Sequence, residues 1–239
     1  MPSERSGTPA PESWRFKLGT QLSLTASDGF RLGAWRAEPP GTPKGGLVVI
    51  QEIFGVNHHI RNVCDRFAEH GYAAIAPAIF DRITPGFECG YTPEDIEEAR
   101  AFIPKLDWPA LMLDVQAAAA NVADAGRVGI VGYCLGGSVA YLAGCDFDNL
   151  SCAIGYYGGM IAKNADRKPK VPTLLHFGDQ DASIPMSDVE TVKQKRPEID
   201  VYVYRAGHGF SCDERGSYSE AAHTEALGRT LDWLAKYVG

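Results

Sequence analysis

The chain has 239 residues, 45% of them hydrophobic, which is enough apolar material to close one sizeable core. Its formal net charge is −7, and its 23 lysines and arginines are scattered among 30 acidic residues, so no basic stripe is offered to a nucleic acid. No apolar stretch approaches the ~20 residues a membrane helix needs, and no membrane partner is expected.

Residues 1–13 are polar and proline-rich and carry no hydrophobic signal core, which predicts a flexible tail on a cytoplasmic protein. Residues 14–239 are expected to form a single domain. Next, QLSLTAS and RLGAWRA alternate apolar with polar residues around Asp28-Gly29, the pattern of a two-stranded hairpin at an antiparallel edge. From there the pattern changes to short continuous apolar runs, which mark strands buried on both faces of a parallel sheet. These are GLVVIQ (46–51), AAIAP (73–77), RVGIVGY (127–133), CAIGYY (152–157), PTLLHFG (172–178) and VYVYRA (201–206). Helical patterns fall between and after them, near 58–70, 93–104, 108–124, 135–145, 185–195 and 219–237. Strand alternating with helix predicts an α/β domain: a mostly parallel central sheet, helices on both faces and an antiparallel N-terminal edge.

In such a sheet, ligands bind outside the carboxyl ends of the strands, so the residues that follow each run are the ones to inspect. RVGIVGYCLGGS (127–138) carries Gly132-Tyr133-Cys134-Leu135-Gly136 between a strand and a helix. That is the setting of the nucleophile elbow G-x-S-x-G, with cysteine in place of serine. The helix N-terminus favours a thiolate and an oxyanion. A carboxylate and then a histidine must follow on later strands, and they do: Asp179-Gln180-Asp181 after PTLLHFG, and His208 between two glycines after the last strand. Asp181 is the preferred carboxylate, because Asp179 sits one residue past the strand and suits the turn itself. An imidazole there can take the thiol proton while the carboxylate fixes its tautomer.

The other histidines are less suited. His58 and His59 are adjacent and face different ways on a helix, His176 lies inside a strand, and His70 and His223 belong to amphipathic helices. No metal-ligand spacing such as H-x-x-x-H occurs, so neither a metal nor another cofactor is expected. The six cysteines include no C-x-x-C pair and are expected to be reduced thiols.

Taken together, QEIFGVN (51–57), GYCLGGS (132–138), GYYG (155–158), the turn from Gly178 to Asp181, and AGHGF (206–210) resemble the dienelactone hydrolase (carboxymethylenebutenolidase) family of α/β-hydrolases. The resemblance runs from about Gly46 to the C-terminus and implies an α/β-hydrolase fold and cleavage of lactones or esters. It implies a triad of Cys134, Asp181 and His208, with Glu52 contacting the resting thiol and removing its proton. It also implies an oxyanion hole made by the backbone N–H groups of Leu135 and Ile53. A base beside the thiol makes chemical sense, since a free thiol with a pKa of ~8.5 is mostly protonated at neutral pH.

Arg82, in AIFDRITPG, is similar to the family stretch in which an arginine grips a substrate carboxylate, a task that suits the guanidinium fork. Phe54, Tyr133, Tyr156, Phe210 and Arg215, which lie in or beside the same motifs, complete the expected substrate-binding set. The chain departs from the family pattern at Cys212, where a second carboxylate-binding arginine stands in the best-known members. Arg215 follows close behind. The implied partner is a small ester or lactone, anionic ones included, acted on by a monomer or small homo-oligomer. Two other readings of the same residues are a ligand-binding relative without turnover and a thiol-based sensor of oxidants or electrophiles.

Overall fold

The computed structural model describes residues 19–239, so the tail expected at residues 1–13 lies outside the described residues. β1 (Gly19–Thr25) and β2 (Arg31–Ala37) form the antiparallel hairpin. Its turn is closed by Gly29 at φ 87° and by the Asp28 carboxylate, which accepts the Phe30 N–H at 3.1 Å. The apolar runs become β3 (Gly45–Ile50), β4 (Tyr72–Pro77), β5 (Val128–Tyr133), β6 (Cys152–Tyr156), β7 (Thr173–Gly178) and β8 (Asp200–Tyr204). One eight-stranded sheet results, in the order β1-β2-β4-β3-β5-β6-β7-β8. Strands β4, β3, β5, β6, β7 and β8 run parallel, whereas β2 meets β4 antiparallel.

The unbroken apolar runs of β3 to β7 are explained by two cores, one on each face, whereas the VYVYRA run expected to be buried forms the edge strand β8, where only Tyr204 is buried. Along β3, Leu47 and Val49 join the cluster that contains Ile60 and Phe67 of α1 (His58–Glu69) and Leu234 of α6 (Glu220–Tyr237). Val48 and Ile50 join the opposite cluster, with Leu111 and Val115 of α3 (Trp108–Asn121). Successive side chains of a strand point to opposite faces, so a strand covered on both sides must be apolar throughout.

Two helices are shorter than their sequence pattern. α2 (Pro93–Arg100) stops before the expected residue 104. Pro104 has no N–H to give to the Arg100 carbonyl, and the chain passes into a 3₁₀ turn at Ile103–Lys105. α3 likewise gives way to a 3₁₀ turn at Ala123–Ala125, which Gly126 ends at φ 122°. The remaining helices are α4 (Leu135–Asp146) and α5 (Met186–Lys195).

α4 is the central helix, and every residue from Leu135 to Cys145 is buried. It sits against the sheet so closely that backbone touches backbone. A Cβ at Gly132 would strike the Gly136 carbonyl, and one at Gly136 would strike the carbonyls of Ile50 and Gln51. His176 of β7 belongs to the core, between the Tyr204 hydroxyl at 2.8 Å and the Thr230 hydroxyl at 3.2 Å. Burial pushes its pKa down to about 3, so it is a neutral packing group that ties β7 and β8 to α6.

The close approach makes a stability prediction. Gly136→Ala should lower stability by about 1–3 kcal/mol or more, because the backbone must move to admit one methyl group. Gly228→Ala, on exposed α6 positions with nothing near the new Cβ, should be neutral or stabilising by about 0.5–1 kcal/mol. Urea unfolding midpoints of the two variants give the comparison, and equal midpoints would contradict this account of the α4 contact.

Candidate active site

Cys134 is the turn between β5 and α4, and it stands at φ 56°, ψ −115°. Side chains other than glycine rarely adopt positive φ, and such a residue costs roughly 1–3 kcal/mol of backbone strain. The surroundings enforce it. The Cys134 N–H donates to the Tyr156 carbonyl at 3.0 Å, and the Gly136 N–H donates to the Gln51 carbonyl at 3.1 Å. The strained turn brings the half-buried thiol to the wall of a cavity of about 240 Å³ outside the carboxyl ends of the strands.

His208 follows β8 and Asp181 follows β7, so the sheet delivers both to the same rim as Cys134. His208 Nε2 lies 3.1 Å from Cys134 Sγ, and His208 Nδ1 lies 2.7 Å from Asp181 Oδ2. The other Asp181 oxygen accepts the N–H groups of Ser183 at 2.8 Å and Ile184 at 3.2 Å, which locks a buried carboxylate in place. Asp179 stays exposed and serves the turn, its N–H bound to the Tyr204 carbonyl.

Burial opposes the charged form of His208, but the Asp181 hydrogen bond and the adjacent Cys134 sulfur outweigh it and push its pKa up to about 10. Between the ordinary value of 6.5 and about 10, the folded chain holds a proton that the unfolded chain has shed. The stability from this group is therefore whole below the lower value and is lost as pH rises toward the upper one.

Ile53 and Leu135 both line the cavity, as does Phe54. Leu135 opens the first turn of α4, where an amide has no partner inside its helix. Glu52 is buried and differs from expectation: its Oε1 accepts from Arg215 Nη1 at 2.8 Å, and among the described residues no hydrogen bond joins it to Cys134. The resting thiol is partnered by His208 instead. Arg215 lines the cavity and lies over the Phe54 ring, 5.4 Å from its centroid.

Four expected substrate contacts are not at the cavity. Arg82 grips Asp114 with two nitrogens at 2.8 Å, pairs with Asp28 at 2.9 Å and lies on the Phe30 ring. The Asp114 side chain is 1% exposed, and a carboxylate so buried requires a cation beside it. Tyr133, Tyr156 and Phe210 are buried in the core on the α1 and α6 side of the sheet, with the Tyr156 hydroxyl held by Thr230 at 2.6 Å. Tyr133 and Tyr156 end neighbouring strands in register, so both point to the same face.

The sequence reading missed residues that do line the cavity. Ile96, Arg100 and Ile103 fall on one face in and just after α2, and Met160 and Ile184 come from other loops. The spacing of the first three was visible, but which face of α2 meets the site was not. Spacing motifs also missed that Glu52, His59 and Cys212 group together, with one side-chain donor atom of each lying within 4.8 Å of the others although the residues are far apart in sequence.

A strained strand-to-helix turn carrying Cys134 at the centre of a mostly parallel sheet, with Asp181 and His208 on later loops, has the layout of an α/β-hydrolase. The chain belongs to the dienelactone hydrolase family, whose model matches residues 32–238. It is 37% identical over 231 residues to a candidate carboxymethylenebutenolidase of Synechocystis, a match covering 87% of this chain and 93% of that one. It is 33% identical over 227 residues to the carboxymethylenebutenolidase of Pseudomonas putida, covering 90% and 95%. A solved structure from Klebsiella pneumoniae, described as a candidate dienelactone hydrolase, superposes with a TM-score of 0.80 at 30% identity over 92% of this chain and 99% of that one. The chain is accordingly a hydrolase of the carboxylic-ester class.

His208 provides the prediction for the site. Its imidazole should titrate by NMR with a midpoint near 10 in the wild-type protein and markedly lower in Asp181→Asn. A wild-type midpoint at or below 6.5 would contradict the arrangement.

Proposed function

We propose that this chain hydrolyses small esters and lactones through a covalent thioester on Cys134, with His208 as the proton carrier and Asp181 as its orienting carboxylate. The observation that carries the reading is the unbroken line from Asp181 to His208 at 2.7 Å and from His208 to Cys134 at 3.1 Å. Both contacts are within reach for proton transfer.

The substrate carbonyl enters with its oxygen toward the N–H groups of Leu135 and Ile53. The Cys134 sulfur, whose proton His208 already holds at neutral pH, bonds to the carbonyl carbon. The resulting oxyanion is held by the two amides, each donor worth roughly 2.7–4 kcal/mol in such sites. As the intermediate collapses, the carbon–oxygen bond breaks and the leaving oxygen takes the proton from His208. Water then attacks the thioester while His208 accepts its proton, and the thiolate departs. Glu52 acts in this scheme as a positioning residue, holding Arg215 in the cavity wall.

The cavity walls support a reading of the substrate class. Ile53, Phe54, Ile96, Ile103, Met160 and Ile184 give it an apolar lining. Arg100 also lines it, and its side chain makes no hydrogen bond or ion pair among the described residues. An apolar ester or lactone that also carries a carboxylate suits this combination, with Arg100 in the role the sequence suggested for Arg82. The six unpaired thiols fit a reducing compartment, and the proposal includes a cytoplasmic location.

Two measurements test the reading. Cys134→Ala should lower kcat/KM on chromogenic esters by about a thousandfold or more, and a variant as active as wild type would sink the proposal. Arg100→Gln should raise KM for carboxylate-bearing esters by about tenfold and leave neutral esters unchanged, in keeping with the loss of one charged contact. Equal effects on both ester classes would remove Arg100 from the account.

A further inference from the structure

We propose that Glu52, His59 and Cys212 form a binding site for a zinc-class divalent ion, which pins the loop carrying His208 to the start of α1. The three residues come from separate segments: the turn after β3, the first turn of α1 and the loop after β8. All three are buried, and their ligating atoms lie within 4.8 Å of one another. Around zinc the same atoms would stand roughly 3.3–3.8 Å apart, given metal bonds of ~2.0–2.3 Å, so closure needs only small side-chain adjustments.

Two of these side chains carry atoms that the rest of the fold leaves unserved. The His59 side chain is 0% exposed, and its Nδ1 is paired with Asp213 Oδ1 at 3.1 Å. Nε2 is buried without a geometrically ideal hydrogen-bond partner and faces Cys212; burial opposes the charged ring, but Asp213, Cys212 and Glu52 outweigh it and raise its pKa to about 9, so an ion binding at Nε2 displaces a proton. Glu52, with its side chain 2% exposed, repeats the pattern: Oε1 is held by Arg215, while Oε2 is buried without a partner. An orphaned buried polar atom costs about 1–3 kcal/mol, and of the eight among the described residues these two lie at one cluster of donor groups. Two of them beside one buried thiol point to a ligand that accepts electron pairs.

The chemistry of the set selects the ion. One thiolate, one imidazole and one carboxylate make a mixed donor set that suits zinc or cobalt and is too soft for magnesium or calcium. The thiolate and carboxylate direct two negative charges at the ion, one of them shared with Arg215. The fourth position of a tetrahedron remains for water. Outer partners are also in place, since Asp213 holds His59 and is itself held by Arg66 at 2.6 Å, and Arg215 holds Glu52.

Cys212 lies four residues after His208 on the same loop, so an ion shared with His59 and Glu52 cross-links that loop to α1 and to the turn after β3. An ion that binds only the folded chain raises its stability. The inference is independent of whether Cys134 is the nucleophile.

The test uses the full chain, reduced and metal-free, titrated with Co²⁺ while the thiolate-to-cobalt absorbance is followed, together with thermal unfolding with and without Zn²⁺. Wild type and Cys134→Ser should each saturate at one ion per chain and unfold at a higher temperature with zinc. Cys212→Ser and His59→Gln should lose the thiolate band or bind about tenfold or more weakly, and lose the thermal shift. If one of these variants fails to fold, the other decides. Failure of the wild type to saturate at one equivalent would overturn the proposal. So would a band that survives in Cys212→Ser, or one that is lost in Cys134→Ser, which would assign the ion to the catalytic thiol.

Discussion

The backbone of Cys134, held at positive φ where β5 turns into α4, is the constraint on which the rest of the site depends. A relaxed turn there would drop the sulfur back among the strands. Three elements oppose that relaxation: β6 through the Tyr156 carbonyl, the turn after β3 through the Gln51 carbonyl, and α4 through its own first turn. The flanking glycines do not loosen the turn. They remove the Cβ atoms that would keep these backbones apart, and so they permit the contacts that hold the strain.

Because that turn lies at the middle of the sheet, every neighbouring parallel strand ends beside it. β7 and β8 bring Asp181 and His208, and the turn after β3 brings Glu52 and Ile53. Electrostatics then completes the assembly. The Asp181 carboxylate is fixed by backbone N–H groups and paired with His208, which retains its proton against burial. Arg215, three residues beyond Cys212, supplies a cation to the cavity and is neutralised by Glu52. These groups stand on loops anchored to rigid strands, the arrangement that gives a precise site.

Much of this was legible in the sequence, for physical reasons that can be named. Strands covered on both faces must be apolar throughout, so β3 to β7 announced themselves as runs, and the alternation of β1 and β2 marked the hairpin at the edge. The Gly-Tyr-Cys-Leu-Gly turn was recognisable because only glycine fits its close contacts. Sequence order pointed to Asp181 and His208, which follow β7 and β8 and meet at Cys134. What was not legible was lateral: nothing in a local pattern says that Asp114 and Asp28 will meet Arg82, or that the α2 face bearing Arg100 will reach the cavity. Adjacency to a motif also misled. Tyr133, Tyr156 and Phe210 neighbour site residues in sequence, yet they point to the core because alternate strand positions and the turn after His208 send them there. The grouping of His59 with Glu52 and Cys212 depends on three distant segments meeting, which no spacing rule detects.

The central claim is that the sulfur of Cys134 becomes covalently acylated during turnover. Acid quenching within the first turnover of an activated ester, followed by peptide mass spectrometry, reads this directly. The account predicts the acyl mass on the peptide containing Cys134, appearing and decaying at rates consistent with turnover. Steady hydrolysis with no acyl group on that peptide, or with the acyl group on Cys212, would contradict it.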